Sequence, residues 1–190
     1  MAFLRQSEAL SAYNRRYAYE AKTADRLLRE SAAQFSKALT YDIFLSHANE
    51  DAKLILGLKV LLEEKRYRVY VDWDDPELDH NVVDARTAEI LRVRMGSCSS
   101  LAFATTQNSP KSKWMPWELG YYDGLKRGPI GIVPLVADNS TSFKGQEYLS
   151  LYPVIESIPS KGELGMMKGS SLYVPLPEWI RGTNGVRALY

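Results

Sequence analysis

The sequence predicts an α/β fold: a parallel sheet of five strands with helices on both faces, preceded by one further helix. Three observations predict it. Apolar runs of strand length recur at 41–46, 68–72, 100–105 and 129–136. Segments with apolar residues three and four apart separate them, at 51–66, 83–95 and from 112 to about 127. Such strict alternation of strand and helix feeds parallel strands through helical crossovers. The first 39 residues differ, with a helical pattern throughout and no Pro or Gly.

Bulk properties set limits on function. The chain has 190 residues, 45% hydrophobic and 25% charged, which suits a soluble globular domain with an appendage. A net charge of +1 provides no global field for nucleic acid or an acidic membrane. One cysteine, Cys98, excludes an internal disulfide framework. No secretory signal and no apolar run of membrane-spanning length is present, so a cytoplasmic location is expected.

The elements follow in order. In residues 5–39, Leu10, Tyr13, Tyr17, Ala24, Leu28, Ala32, Phe35 and Leu39 form an apolar stripe interrupted at Glu20. That face is open to two readings, packing on its own domain or association with a partner or second copy. Residues 41–46 form the first strand, and Leu54, Leu58, Leu61 and Leu62 mark the following helix. A second strand at 68–72 leads into an Asp-rich loop, 73–81. Ala88, Leu91 and Met95 share a face of the next helix. A third strand at 100–105, a polar loop, and a helix beginning near Ser112 and ending near Arg127 follow. Residues 129–136 give a fourth strand and 152–156 a fifth. Beyond Ala137 the chain is rich in Gly, Pro and Ser, with a short helix expected at 143–151, a short strand at 171–174 and a helical turn at 177–180. The domain organisation expected is an amphipathic extension at 1–39, the α/β domain at 40–158 and a C-terminal extension packed on it at 159–190.

Several chemistries are excluded by missing motifs. No GxGxxG follows the first strand, and no GxxxxGK[ST] or GxSxG is present. His47, His80 and Cys98 are too few and scattered for a zinc cluster, so no metal is expected. Arg92 and Arg94 form no basic stripe for nucleic acid.

Polar residues gather where the strands end, the rim at which such sheets bind ligands. The first strand delivers Ser46, His47 and Asn49; the second, Asp72, Trp73 and Asp75; the third, Thr105, Thr106 and Asn108. The helix after the third strand carries Trp114, Glu118 and Tyr122 on one face at spacings of four. Glu118 is the one residue with a catalytic setting, a carboxylate among aromatics. Its bland alternative is a helix-start carboxylate complementing exposed amides, with Ser112 as cap.

In combination the runs YDIFLSHANED (41–51), VYVDW (69–73), DPELD (75–79), TAEILRVRM (87–95) and SKWMPWE (112–118) resemble TIR domains, specifically bacterial ones. The resemblance covers roughly residues 41–136, and FKGQEYL (143–149) and LYP (151–153) extend it. It implies a flavodoxin-like domain that cleaves NAD+ between nicotinamide and ribose, with Glu118 in the family's catalytic position. It also implies a substrate site drawn from Phe44, Ser46, His47, Asp72, Trp73, Trp114 and Tyr122, and a mobile loop at 73–82 that takes part in assembly between TIR domains. That loop lacks the Gly common in animal members. NAD+ is then a substrate and no cofactor is expected. Bacterial relatives serve in antiphage defence, including Thoeris systems, where a nucleotide product reaches a separate effector. Self-association through TIR surfaces or the N-terminal helix is expected, with no nucleic-acid or membrane partner.

The physics supports one carboxylate. Departure of nicotinamide leaves an oxocarbenium-like ribose, and nicotinamide in NAD+ is already cationic, so no general acid is needed. Glu118 is expected to remain ionised, helped by the helix start, with Trp114 and Trp73 flanking a base. Two other functions stay open: a TIR module that signals by contact alone, and a nucleoside or nucleotide glycosyl-transfer enzyme. The product stays open among linear, cyclic and conjugated ADP-ribose.

Overall fold

The computed structural model describes residues 2–17, 40–75, 77–78, 84–168, 171–183 and 185–188. Ala24, Leu28, Ala32, Phe35 and Leu39 of the expected stripe, His80, and much of the loop at 73–82 lie outside the described residues.

Five parallel strands form the central sheet in the order β1-β5-β4-β2-β3. They are β1 (Leu4–Arg5), β2 (Tyr41–Ser46), β3 (Val69–Tyr70), β4 (Cys98–Thr105) and β5 (Ile130–Val136). Register is set by pairs such as Ile43↔Val69, Phe44↔Leu101 and Ala102↔Gly131. Alternation along the strands splits the core in two. Ile43, Leu45, Ala102 and Ala104 face one layer; Phe44, Leu101 and Phe103 face the other. Helices α1 (Gln6–Tyr17) and α2 (Ala52–Glu64) lie on the first side. Helices α3 (Ala85–Ser97) and α4 (Trp114–Tyr121) serve the second, where Leu91, Met95, Met115 and Leu119 pack.

The fifth strand is not the expected one. Leu4–Arg5 pairs with Leu135 and Val136, so the N-terminus supplies the edge of the sheet. Of residues 152–156, Val154 makes only a bridge to Ile132 of the parallel sheet, and Ile155 and Glu156 begin a strand of a second, antiparallel sheet. That sheet comprises β6 (Ile155–Ile158), β7 (Glu163–Lys168), β8 (Leu172–Pro175) and β9 (Arg187–Ala188). The short helix α5 (Leu176–Ile180) follows β8, close to the helical turn expected at 177–180. Part of the expected helix at 143–151 is a 3-10 turn, Glu147–Leu151.

The described part of the N-terminal helix packs on its own domain, and through a different face from the predicted one. Ala9 and Ala12 are buried, while Leu10 is exposed and Tyr13 and Tyr17 pack ring to ring at 5.1 Å. Small residues let the helices approach closely. A Cβ on Gly57 of α2 would sit 1.9 Å from the Ala9 carbonyl oxygen, so backbone contact replaces side-chain interdigitation there.

Candidate active site

The site is built at the carboxyl rim of the sheet, between the end of β2 and the two helices of the second face. A narrow cleft there is lined by His47, Asn49, Asp72, Leu78, Thr87, Leu91, Ser112, Trp114 and Glu118. Its open volume is about 40 Å³. Sites for drug-sized ligands run to roughly 300 Å³ or more, so the described cleft is small beside them. Its lining carries carboxylates and aromatics and no Lys or Arg among the described residues. That chemistry suits a cationic ring and its ribose better than a pyrophosphate.

Glu118 reaches the cleft from the second turn of α4. Ser112 Oγ accepts a hydrogen bond from the Met115 amide at 3.2 Å, which helps set where the helix starts. Helix α4 begins at Trp114, so Glu118 is its fifth residue. Only 3% of Glu118 is exposed, and Ser46 Oγ donates a 2.6 Å hydrogen bond to its Oε2. Ser46 ends β2, so this bond ties the carboxyl group to the sheet.

This environment corrects the expected charge state. Burial, with the Asp72 charge beside it, pushes the Glu118 carboxyl up to about 8 against the opposing Ser46 hydrogen bond. The helix N-terminus does not offset burial, because its field fades within the first turn. Glu118 therefore rests mostly protonated at neutral pH.

His47 follows Ser46 and is 7% exposed. Its Nδ1 lies 2.8 Å from the Leu45 carbonyl oxygen, which can only accept, so the ring proton sits on Nδ1. Its Nε2 stands 3.2 Å from Asp72 Oδ1, within ion-pair distance, yet has no hydrogen-bond partner. That contact is electrostatic proximity rather than a directed bond. Trp73 packs edge-on against the imidazole with ring centroids 3.9 Å apart, and its Nε1 donates to Asn49 Oδ1 at 3.2 Å.

The structure brings together Glu118, Ser46, His47, Asp72 and Trp114, and separates others. Trp73 does not line the cleft; it backs His47 and packs toward the first core layer. Phe44 is buried one strand repeat below Ser46, stacked on Tyr70 at 5.1 Å, so it supports the site from beneath. Tyr122 is the clearest correction. It shares a helical face with Trp114, but eight residues carry it about 12 Å along the axis. Its hydroxyl donates to the Cys98 carbonyl at 3.2 Å, at the opposite end of β4 from the rim.

Sequence reasoning missed Thr87, Leu91 and Leu78 as lining residues, and it missed the clamp beside them. Arg94 Nε bonds Asp75 Oδ2 at 2.6 Å, and its NH2 group reaches Glu77 Oε2 at 2.7 Å. Tyr70 OH donates to the same Asp75 oxygen at 3.2 Å. Both Arg94 and Asp75 are buried. The clamp fastens the segment carrying Asp72 and Leu78 to α3, and so fixes one wall of the cleft. The signal was available, because Thr87, Leu91 and Arg94 fall at inward-facing spacings of four and three.

Outside the cleft, Trp117 stacks on Tyr121 at 5.6 Å, with the Arg92 guanidinium over both rings. Among the described residues no cluster of three or more His, Cys, Asp or Glu could hold a metal ion. None of their helices is long and apolar enough to cross a membrane.

Comparison with known proteins accords with this geometry. No protein-family model matches the chain. ThsB′ of Bacillus cereus (strain MSX-D12), described as a probable 3′ cyclic ADP-D-ribose synthase, is 42% identical over 168 residues, covering 85% of this chain and 86% of ThsB′. TIR2 of Cytobacillus dafuensis, described as a candidate cyclic ADP-D-ribose synthase, is 28% identical over 99 residues, which span 51% of this chain and 26% of TIR2. The crystal structure of the TIR domain of the Toll-related receptor TRR-2 from Hydra magnipapillata aligns with a TM-score of 0.45 at 17% identity, covering 64% of this chain and 88% of that one. With a buried, sheet-tethered carboxylate at the rim of a parallel sheet and a relative so similar over most of both chains, this protein belongs to the ThsB′ family of Thoeris-type TIR cyclic ADP-ribose synthases.

Proposed function

We propose that this chain binds NAD+ with its nicotinamide ribose in the cleft, breaks the bond between them, and joins the ribose to a hydroxyl of the same molecule to give a cyclic ADP-ribose. The observation that carries this reading is the buried Glu118–Ser46 pair beside Trp114 and His47.

The resting proton on Glu118 is compatible with the chemistry. Two unit charges 4 Å apart interact by about 4 kcal/mol at an effective dielectric of 20, equivalent to about three pH units. A nicotinamide cation at that range would lower the Glu118 carboxyl from about 8 and so favour its ionisation when substrate binds. As the carbon–nitrogen bond lengthens, positive charge moves from the ring to the ribose. The carboxylate then faces the charge that develops, held there by Ser46. Trp114 supplies an aromatic wall against the leaving ring.

The cyclic product would act as a soluble signal read by a separate effector in antiphage defence. Self-association through TIR surfaces or the N-terminal helix belongs to this reading; the described part of that helix packs on its own domain. Incubating the purified protein with NAD+ and analysing products by mass spectrometry tests the reading. Nicotinamide and a cyclic ADP-ribose are expected. Undiminished NAD+ consumption by Glu118→Ala would refute the assignment of Glu118.

A further inference from the structure

Cyclisation requires more than departure of nicotinamide. The hydroxyl that captures the ribosyl carbon must lose its proton, while Glu118 is engaged in opposing positive charge on the ribose. A second group beside the hydroxyl that accepts the proton leaves the carboxylate's charge in place as the ring closes.

His47 has the attributes for that step. It lines the same cleft as Glu118 and adjoins Ser46, the residue that tethers Glu118. The Leu45 carbonyl keeps a proton on Nδ1, so in the neutral ring the lone pair that can accept is on Nε2. That nitrogen is buried and has no hydrogen-bond partner. A buried polar atom without a partner is costly, and such atoms mark positions that a ligand completes. Asp72 Oδ1 stands 3.2 Å from Nε2, where positive charge would form on the ring. Trp73, edge-on at 3.9 Å, and its bond to Asn49 limit rotation of the imidazole.

We propose that His47 Nε2 takes the proton from the acceptor hydroxyl during ring closure, with Asp72 as the positioning residue that stabilises the imidazolium; this rests on the NAD+ reading above. The bond from ribose C1 to the nicotinamide nitrogen breaks, and its electron pair leaves on neutral nicotinamide. A lone pair of the acceptor oxygen forms the new bond to C1. The hydroxyl proton passes to His47 Nε2 and then to solvent. One NAD+ thus gives one cyclic ADP-ribose, one nicotinamide and one proton. Without the base, water captures more of the cation, and linear ADP-ribose accumulates.

The readout is the ratio of cyclic to linear product, measured by chromatography and mass spectrometry alongside nicotinamide release. His47→Asn is the first variant, since its amide can still donate to the Leu45 carbonyl while offering no basic nitrogen. Its ratio is expected to fall about 100-fold, the scale of a lost general base. Asp72→Asn, on a partly exposed turn, tests the same step without touching the ring, and should lower the ratio in the same direction. An unchanged ratio in either folded variant overturns the proposal. So does a folded His47→Asn protein that releases no nicotinamide, because His47 would then serve cleavage itself. Failure of the unmodified protein to release nicotinamide would instead overturn the NAD+ reading, and this inference with it.

Discussion

Glu118→Gln should make the protein more stable while abolishing its chemistry. The substitution keeps the side chain's size and lets an amide oxygen accept the Ser46 hydroxyl. It removes a group whose ionisation folding opposes. The folded carboxyl lies at about 8 against an ordinary value of 4.5, so between those values the native state holds a proton that the unfolded chain has released. Stability therefore falls as pH rises through this window, being greatest below 4.5 and fully reduced above 8. At pH 7 about 2.5 pH units of this penalty have accrued, worth about 3 kcal/mol at 1.36 kcal/mol per unit. For a chain of this size each kcal/mol moves the melting temperature by about 2–4 °C. Thermal unfolding at pH 5, 7 and 8 should show the variant melting higher at pH 7 by up to about 10 °C, with the gap closing toward pH 5. Identical melting temperatures at all three pH values would refute the claim that Glu118 is buried and protonated. A gap that widened at low pH would reverse its sign.

On the proposed reading, the same carboxyl controls activity. kcat/KM for NAD+ should rise with pH toward about 8, because free enzyme must lose the Glu118 proton before catalysis, and a pH–rate profile reads this directly. Asp72 raises that carboxyl, so Asp72→Asn should move the rising limb to lower pH; a shift upward would contradict the electrostatics. Arg94→Met leaves Asp75 buried without its cation and should cost about 3–5 kcal/mol in urea unfolding. Gly57→Ala drives a methyl into the Ala9 carbonyl, so α1 must shift from α2. A loss of about 1–3 kcal/mol is expected, with faster proteolysis of the N-terminal segment, and wild-type stability would show that the contact is not that close.

Much of this molecule could be read in advance, where the signal was periodic. The alternation of apolar runs and helical spacings locates β2 through β5 and the helices between them, because each must bury a face against the sheet. Glu118 was legible for the same reason: strand order places the helix after β4 at the ligand-binding rim. What escaped has no period. Leu4–Arg5 is two residues long, too short to show alternation, and it pairs only because α1 docks beside it. In β7 the run Glu163–Lys168 contains Gly165, whose missing side chain lets the Val174 carbonyl approach and also erases the strand pattern. Arg94 sits on an inward spacing but carries a charge, so its partner Asp75, 19 residues away, had to be seen before burial made sense. Tyr122 shows the converse error, in which a shared helical face is mistaken for a shared site.

The charge state of Glu118 links these observations. An ionised carboxylate in so tight a cleft would have to be desolvated permanently, and folding would bear that cost whether or not substrate were present. A protonated one makes the cost conditional. On the proposed reading the proton leaves when a cation arrives, so the carboxylate's field is strongest against the ligand that brings positive charge with it. Neutral nucleosides offer no such charge and leave the group protonated, poorly suited to oppose a ribosyl cation. Discrimination in favour of NAD+ over neutral nucleosides then needs only the charge on the ring, which accords with a described cleft lining that carries carboxylates and no Lys or Arg. On the proposed reading, the acceptor that prevails once nicotinamide has left is the one already tethered to the substrate and next to a base.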